Sequence, residues 1–372
     1  MAKSLATLRL LLSGLAAGDS LGSTSEFVDP RDIPRLYGRY KDRGWPFAQV
    51  GGGSFGWQAG EPTDDTQMAL CLVDSYRQLR AFDGQDVARR FVHWMRGGPR
   101  DIGATTGRTL MRIAGGVSWQ NGGLEAFLHN PELAANGSLM RNGVVPGMAV
   151  DLADALRITL SHGMMTHYGP LAQICCAAQT WLIWRLLEDS TQRTQRTQRM
   201  ERDDPKSSAT SAPSALSVLA PGWPGLFRQE FTVWLDSTAD EPCARWRANV
   251  AEHLGAAWRA FESAQWDPRT FNPFATDFAG RTGYCLLTLQ IAVWALYWSL
   301  VDEPLARFLG GTPQGLPREL FERRGPYVLG LVALIGHDAD TYGATAGPLI
   351  AAAHGCLPAE LINGLWALRE NW

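Results

Sequence analysis

Apolar residues recur at three- and four-residue steps along most of this chain, whereas the alternating pattern typical of β-strands is scarce. This spacing predicts helices, because it places the apolar side chains on one helical face. Several segments are apolar on nearly all sides, which indicates helices enclosed by other helices. The sequence therefore predicts an all-α fold. The predicted helices cover residues 68–80, 86–96, 149–162, 170–187, 243–264, 284–301 and 357–371.

A low-complexity tract interrupts this pattern between Glu188 and Pro224. It contains a threefold TQR repeat, followed by a stretch rich in serine, alanine and proline. Such a composition buries too little apolar surface to offset the entropy lost on ordering. We predict that residues 188–224 form a mobile surface insertion without a catalytic role.

The charge balance and the cysteines limit the possible partners and the compartment. The chain has 34 basic and 37 acidic residues and a formal net charge of −3. Because basic residues are not in excess, neither nucleic acid nor an anionic membrane surface is expected as a partner. Its six cysteines show no CxxC spacing. This usage disfavours a zinc site and predicts reduced thiols in the cytoplasm.

Two apolar segments resemble targeting or membrane sequences. Between residues 5 and 15 the leucines recur at helical steps, and Arg9 interrupts what would be the apolar core of a secretory signal. We therefore predict a first amphipathic helix ending at Gly18. Residues 286–301 are short for a membrane span and contain Gln290, which favours a buried helix.

A long segment without a regular pattern covers residues 27–60. Loops of this length in a compact domain are usually functional, often as lids. We predict that its aromatic side chains cover a ligand; they are Trp45, Phe47, Phe55 and Trp57.

Two adjacent aspartates precede an apolar run in the stretch EPTDDTQMAL, residues 61–70. Thr63 is a good N-cap, which places Asp64 and Asp65 in a first helical turn, where the helix dipole favours negative charge. The pair therefore has an ordinary capping explanation. It also offers hard oxygen ligands to a cation. This stretch alone leaves both explanations open.

A second acidic group lies near the other end of the chain, in GHDADTYGATAG at residues 336–347. There Asp338, Asp340 and Thr341 precede a helix of small residues. Together the two groups supply four carboxylates and two hydroxyls, the ligand set that one or two Mg²⁺ ions require. Glu26, which follows a predicted turn at residues 18–22, is a further candidate oxygen ligand.

Six motifs occur in the order and approximate spacing of the ADP-ribosylglycohydrolase family, which the chain resembles over residues 8–368 outside the low-complexity tract. The motifs are GDSLGSTSE, PTDDT, DIGATTGRTL, NGSLMR, SHGMMTH and HDADTYGATAG. The family includes ADP-ribosylarginine hydrolases and dinitrogenase-reductase-activating glycohydrolases. The resemblance implies a single all-α domain over residues 1–372, with two Mg²⁺ or Mn²⁺ ions in a central cleft.

The resemblance also implies roles for particular residues. Asp64 or Asp65 would act as the catalytic base, and Glu26 matches a glutamate at the mouth of the cleft in some members. For His162 a buried structural role stays open beside a substrate contact. For Arg141 an ordinary salt bridge stays open beside a contact with a substrate phosphate. The implied metal ligands are Thr63, Asp64, Asp65, Asp338, Asp340 and Thr341. The implied substrate-binding residues are Glu26, Gly103, Thr105, Thr106, Asn136, Gly137, Ser138, Met140 and His162.

The function implied by the resemblance is metal-dependent removal of ADP-ribose from modified arginine on proteins. Breaking the bond from ribose C1″ to nitrogen passes through an oxocarbenium-like state, so the site must position the ribose, a water and a protonated leaving group. Some bacterial relatives act as immunity proteins, which would make an ADP-ribosylating toxin a partner. Two alternatives stay open: a different ADP-ribosyl linkage, or a non-catalytic module that occludes a toxin or holds ADP-ribose. The full acidic ligand set favours the enzyme.

Overall fold

Fifteen α-helices are present in the computed structural model, which describes residues 4–203, 215–278, 280–313 and 315–368. Within those ranges no strand occurs, and backbone pairing outside helices and turns is limited to two isolated bridges, at Gly52–Trp57 and Ala135–Tyr284. The predicted all-α fold is confirmed. In chain order the helices are α1 Leu5–Gly22, α2 Ile33–Tyr40, α3 Asp64–Leu79, α4 Gly84–Arg96, α5 Ala104–Ala114, α6 Leu124–His129, α7 Leu152–Met164, α8 Pro170–Asp203, α9 Trp223–Ser237, α10 Glu241–Glu262, α11 Cys285–Leu300, α12 Leu305–Phe308, α13 Val328–Val332, α14 Ala339–His354 and α15 Ala359–Ile362.

Helices α1 and α14 run antiparallel and touch along their backbones. A Cβ atom built on Gly18 would lie 2.0 Å from the carbonyl oxygen of Gly343, and one built on Gly343 would lie 2.2 Å from the carbonyl oxygen of Gly18. Only residues without a side chain permit this approach. The contact places the end of α1 beside the start of α14. The facing residues are Gly14, Gly18 and Gly22 on α1 against Gly347, Gly343 and Ala339 on α14.

Helix α3 is joined to the end of α1 through Asp19. This buried carboxylate accepts hydrogen bonds from the backbone amides of Thr63 at 3.2 Å and of Thr66 at 3.1 Å, and from the Thr66 hydroxyl. The first amides of a helix have no partner within that helix, and Asp19 supplies one. The end of α1 and the starts of α3 and α14 therefore meet at one place.

The first helix was predicted correctly, but its end was not. Helix α1 continues to Gly22, so Asp19 lies in its last turn and not in the predicted loop after Gly18. The glycines of this region serve the contact with α14. A glycine that looks like a helix terminator in the sequence can instead be a packing residue.

Other predicted elements differ in their extent. The predicted helix over 286–301 is confirmed as the buried helix α11. The predicted helix over 357–371 is wrong in extent: α15 is short, and Gly364 with φ +88° separates it from a 3₁₀ turn at Trp366–Leu368. No helix in the described ranges is both long enough and apolar enough to cross a membrane.

The insertion predicted at residues 188–224 stays a prediction. Helix α8 continues to Asp203, beyond its predicted end at residue 187, and a 3₁₀ turn at Ala215–Leu219 precedes α9. Residues 204–214, in the middle of the predicted insertion, lie outside the described ranges.

Residues 27–60 are more regular than predicted, since they include α2. Trp45 and Phe47 belong to the main core, and the Trp45 ring nitrogen donates to the Leu21 carbonyl at 3.1 Å. These two rings anchor the segment, so they cannot cover a ligand as predicted. Phe55 is partly exposed.

Candidate active site

The start of α3 has the predicted capping geometry. Thr63 has an extended backbone, and its hydroxyl accepts from the amide of Asp65 at 3.4 Å. Asp64 and Asp65, however, are only 5% and 1% exposed. Capping requires no burial of acidic side chains, and burying them in the absence of a partner is costly. The capping explanation is therefore correct but incomplete.

Acidic side chains from distant parts of the chain converge here. Carboxylate oxygens of Asp64, Asp65 and Asp340 lie within 4.8 Å of one another. The same holds for Glu26, Asp101 and Asp340. Because Asp340 belongs to both trios, the five carboxylates form one continuous group, which we call the acidic centre.

The acidic centre has oxygen atoms without hydrogen-bond partners. Glu26 Oε2, Asp65 Oδ1 and Asp340 Oδ1 are buried and unpaired. Arg100, the cation next to Asp101 in the sequence, pairs with Glu61 instead. Buried carboxylates normally pair with a cation or a donor, so these three oxygens fit a hard divalent cation.

The pKa values of the acidic centre are raised throughout. Burial, followed by the charge of Asp64, raises the pKa of Asp65 well above its usual range. Burial, followed by the charge of Glu26, does the same to the pKa of Asp340. For Glu26, burial and then the charge of Asp101 raise the pKa to about 9. Crowded acids of this kind are common where a protein binds metal or performs proton transfer.

The predicted threonine ligands lie beside the acidic centre. The hydroxyl of Thr63 is 3.4 Å from Asp65 Oδ2, and the hydroxyl of Thr341 is 3.5 Å from the same oxygen. Asp338 is half-buried and lies outside both trios, where its Oδ2 accepts from the Asn136 amide at 2.6 Å. Burial raises the pKa of Asp338 to about 6.

Two of the predicted substrate-binding loops adjoin each other. A Cβ atom built on Gly137 would lie 3.1 Å from the Thr106 hydroxyl, so the first turn of α5 adjoins the loop around Asn136. Gly103 is exposed, and it is an N-cap without a side-chain hydrogen bond to the first turn of α5. Thr105 is half-exposed in that turn. Uncapped amides at a helix start are suited to bind an anion.

Arg141 supports the loop around Asn136 from the interior of the protein. It is fully buried, and it donates to the Gly137 carbonyl at 2.5 Å, the Thr166 hydroxyl at 2.7 Å and the His162 carbonyl at 3.1 Å. Burial lowers its pKa to about 10. Among the described residues Arg141 forms no salt bridge, so that explanation is wrong. Arg141 instead positions backbone carbonyls.

Three predicted substrate contacts lie in the interior. Ser138 is fully buried and accepts from the Cys176 thiol at 3.4 Å, and Met140 is 4% exposed. His162 is 0% exposed, and its Nε2 donates to Asn142 Oδ1 at 3.0 Å. Burial lowers the pKa of His162 well below its usual value, so it is neutral. The structure does not bring His162 to the acidic centre, and its contact with substrate stays a prediction.

Sequence reasoning missed two residues of this region. Asp101 opens the DIGATTG motif and belongs to an acidic trio, although only the glycine and threonines of that motif were selected. Asp19 supports α3, but its place beside Gly18 indicated a turn. An acid at the start of a recognised motif was the available signal for Asp101. Nothing local distinguished Asp19.

Comparison with known proteins identifies the class. The family model described as ADP-ribosylglycohydrolase matches residues 4–370. The chain therefore belongs to the ADP-ribosylglycohydrolase family. A solved structure described as "ADP-ribosylglycohydrolase-related protein complex" is 23% identical, with a TM-score of 0.57, and covers 96% of this chain and 91% of that one. At this identity the likeness shows the fold alone.

Three curated relatives are similar over part of their length. ADP-ribosylarginine hydrolase Tri1 of Pseudomonas putida (strain GB-1) is 39% identical over 138 residues, or 35% of this chain and 33% of that protein. Tri1 of Serratia proteamaculans (strain 568) is 33% identical over 193 residues, or 49% and 47%. ADP-ribosyl-(dinitrogen reductase) glycohydrolase of Rhodospirillum rubrum is 31% identical over 166 residues, or 44% and 52%. The chain spans between about a third and a half of the length of these relatives.

Proposed function

We propose that this chain releases ADP-ribose from ADP-ribosylated arginine side chains of proteins, with divalent cations bound at the acidic centre. The observation that carries the proposal is the convergence of two carboxylate trios on Asp340, with three buried oxygens left unpaired. Support for arginine comes from the two Tri1 relatives, which are named ADP-ribosylarginine hydrolases.

The residues suit the parts of such a reaction. In this proposal the uncapped amides at the start of α5, with Gly103 and Thr105, bind the pyrophosphate, since free amides at a helix start suit an anion. A carboxyl of Asp64 or Asp65 takes the proton of the attacking water and returns it to the departing guanidine nitrogen. When bound, Mg²⁺ or Mn²⁺ would orient the ribose hydroxyls and make a water easier to deprotonate. The residues that would hold the ions are Glu26, Thr63, Asp64, Asp65, Asp101, Asp338, Asp340 and Thr341.

The linkage is tested by comparing two substrates that share ADP-ribose. A protein modified on arginine and a peptide modified on serine are incubated with the wild-type chain and Mg²⁺, and free ADP-ribose is measured by chromatography. We expect a rate at least about tenfold higher from arginine, because a site built for one leaving group discriminates by this order or more. A preference for serine would replace the proposed linkage with another one of the same family. Absence of release from either substrate would contradict hydrolysis of these linkages.

Metal binding is expected to stabilise the fold. A cation bound to the native state at about a hundred times its Kd contributes about 2.7 kcal/mol, which raises the unfolding temperature by several degrees. We expect this rise on adding millimolar Mg²⁺ or Mn²⁺ to chelator-treated protein, measured by thermal unfolding. Asp340→Asn should lose most of the rise, because Asp340 belongs to both trios.

The control for the thermal experiment is Asp42→Asn, which changes an exposed carboxylate in the 3₁₀ turn at Lys41–Arg43. This variant should keep the full rise. Potassium chloride at equal ionic strength should produce none. An unchanged unfolding temperature with both divalent ions would contradict the metal-binding part of the proposal.

An immunity role against an ADP-ribosylating toxin stays a prediction from the family resemblance, as does the cytoplasmic location. No observation on the described residues favours a toxin partner. A non-catalytic module that only holds ADP-ribose is disfavoured, because a pure binder has no need of five crowded carboxylates.

A further inference from the structure

An exposed aromatic residue directly follows a member of the acidic centre in the chain. Phe27 is 62% exposed, whereas its neighbour Glu26 is 1% exposed and belongs to a carboxylate trio. The chain therefore passes from the acidic centre to solvent within one residue. Large apolar side chains exposed singly need no explanation. Phe27 differs from an ordinary exposed apolar residue in its backbone conformation and in its aromatic neighbours.

The backbone of Phe27 adopts a conformation that phenylalanine rarely takes. Its φ is +61°, in the left-handed region, where a bulky residue is strained. Two bonds hold it there: the Phe27 amide donates to the His337 carbonyl at 2.5 Å, and the His337 amide donates to the Val28 carbonyl at 2.9 Å. Strained residues that the surroundings hold in place concentrate at ligand sites.

A second aromatic segment fixes the ring from the side. The Phe27 and Phe55 rings meet edge to face with centroids 6.0 Å apart, and Phe55 contacts Trp57 at 5.8 Å. The Ser54 hydroxyl donates to the Glu26 carbonyl at 2.9 Å. Arg100 lies over the Trp57 ring at 4.6 Å. The Phe27 ring is thus part of an ordered aromatic wall that begins one residue after Glu26.

The chemistry of this wall suits a planar cation. An aromatic face attracts a guanidinium through a cation–π contact, and a guanidinium also stacks on aromatic rings. The proposed pyrophosphate site involves different residues, around Gly103 at the start of α5, two residues after Asp101. The Phe27 wall reaches the acidic centre through Glu26. With the pyrophosphate at the start of α5, the Phe27 side is available to the leaving group.

We infer that Phe27 is a specificity residue that contacts the arginine side of the substrate, with the guanidinium lying against its ring at the edge of the acidic centre. This inference rests on the proposed function and adds the residue that recognises the leaving group. It predicts that Phe27 contributes to binding of ADP-ribosylated arginine but not to binding of the product ADP-ribose, which lacks the guanidinium.

The test compares Phe27→Leu with Phe27→Tyr. Both keep a large side chain at the same backbone conformation, and only tyrosine keeps the aromatic face. With an ADP-ribosylarginine peptide and Mg²⁺, we expect Phe27→Leu to lower kcat/KM roughly three- to tenfold, mainly through KM, and Phe27→Tyr to stay within about twofold of wild type. Calorimetric Kd values for ADP-ribose should stay within about twofold in both variants. Val233→Ala, at a 65% exposed site on α9, is the surface control.

Two outcomes would overturn the inference while the wild type remains active on arginine linkages. One is an ADP-ribose Kd that rises as much as KM in Phe27→Leu, which would place the ring on the nucleotide side. The other is an unchanged kcat/KM in that variant. A wild type that binds ADP-ribose but cleaves no arginine linkage would instead contradict the proposed function itself.

Discussion

Asp65→Asn is expected to lower the rate of ADP-ribose release from ADP-ribosylated arginine by about a thousandfold or more. Asp65 is 1% exposed, belongs to the trio with Asp64 and Asp340, and has an unpaired Oδ1. Asparagine keeps the shape but can neither take a proton from water nor supply an anionic ligand. Removing a group that serves both purposes costs this order of rate. The measurement is the initial rate at saturating Mg²⁺, with free ADP-ribose separated by chromatography.

The expected loss must be separated from unfolding. The Asp65→Asn substitution removes one charge from a crowded acidic group, so the variant should unfold within a few degrees of wild type in chelator. Asp42→Asn is the matched control, since it makes the same chemical change at an exposed position, and it should retain full activity. If Asp65→Asn turns over at a rate near wild type, then Asp65 has neither proposed role.

The local features of this centre could be predicted from the sequence because short-range rules govern them. Thr63 caps α3 and places Asp64 and Asp65 in the first turn, as the pattern predicts. The helix after Gly336 was also predicted, but it begins at Ala339, so Asp340 and Thr341 lie in its first turn and do not precede it, and its N-cap Asp338 makes no side-chain capping bond. Capping depends on a few adjacent residues, so one sequence suffices to recognise it.

The convergence of the acids could not be predicted from short-range rules. It depends on the antiparallel contact of α1 with α14, which brings residues 22 and 339 together. Family resemblance supplied the expectation that the two acidic groups share metals. The signal for the contact itself was present, since Gly14, Gly18 and Gly22 recur at four-residue steps, as do Gly343 and Gly347. Such spacing marks a close helix contact only when both helices carry it.

The same contact explains why Asp19 was misassigned. In the sequence Gly18 and Gly22 suggest a helix end, and Asp19 between them suggests a turn. In the structure both glycines lie within α1, and Asp19 points to the start of α3. The cost of glycine in a helix is accepted here because a side chain at Gly18 would collide with the backbone of α14.

Gly18→Ala is expected to be strongly destabilising, because it adds a methyl group where α1 touches the backbone of α14. The new Cβ would lie 2.0 Å from the Gly343 carbonyl oxygen and 2.2 Å from its carbonyl carbon. These are backbone atoms of a buried helix, so no flexible side chain can move away. Overpacking in a core lowers the free energy of unfolding by about 1–3 kcal/mol, and we expect a clash with backbone atoms to cost at least the upper value. A loss of about 3 kcal/mol is a large share of a typical folding free energy.

Gly18→Ala should also impair the acidic centre, because separating α1 from α14 moves Asp340 away from Asp64 and Asp65. Urea unfolding gives the change in stability, and the thermal rise with Mg²⁺ reports on the centre. Gly38→Ala is the matched control: it adds the same methyl group in α2, where a Cβ meets nothing within 4 Å. It should be neutral or stabilise by about 0.5–1 kcal/mol, since alanine favours a helix. Equal stability of the two variants would mean that α1 and α14 do not pack backbone to backbone, and the geometry that brings the acids together would then be wrong.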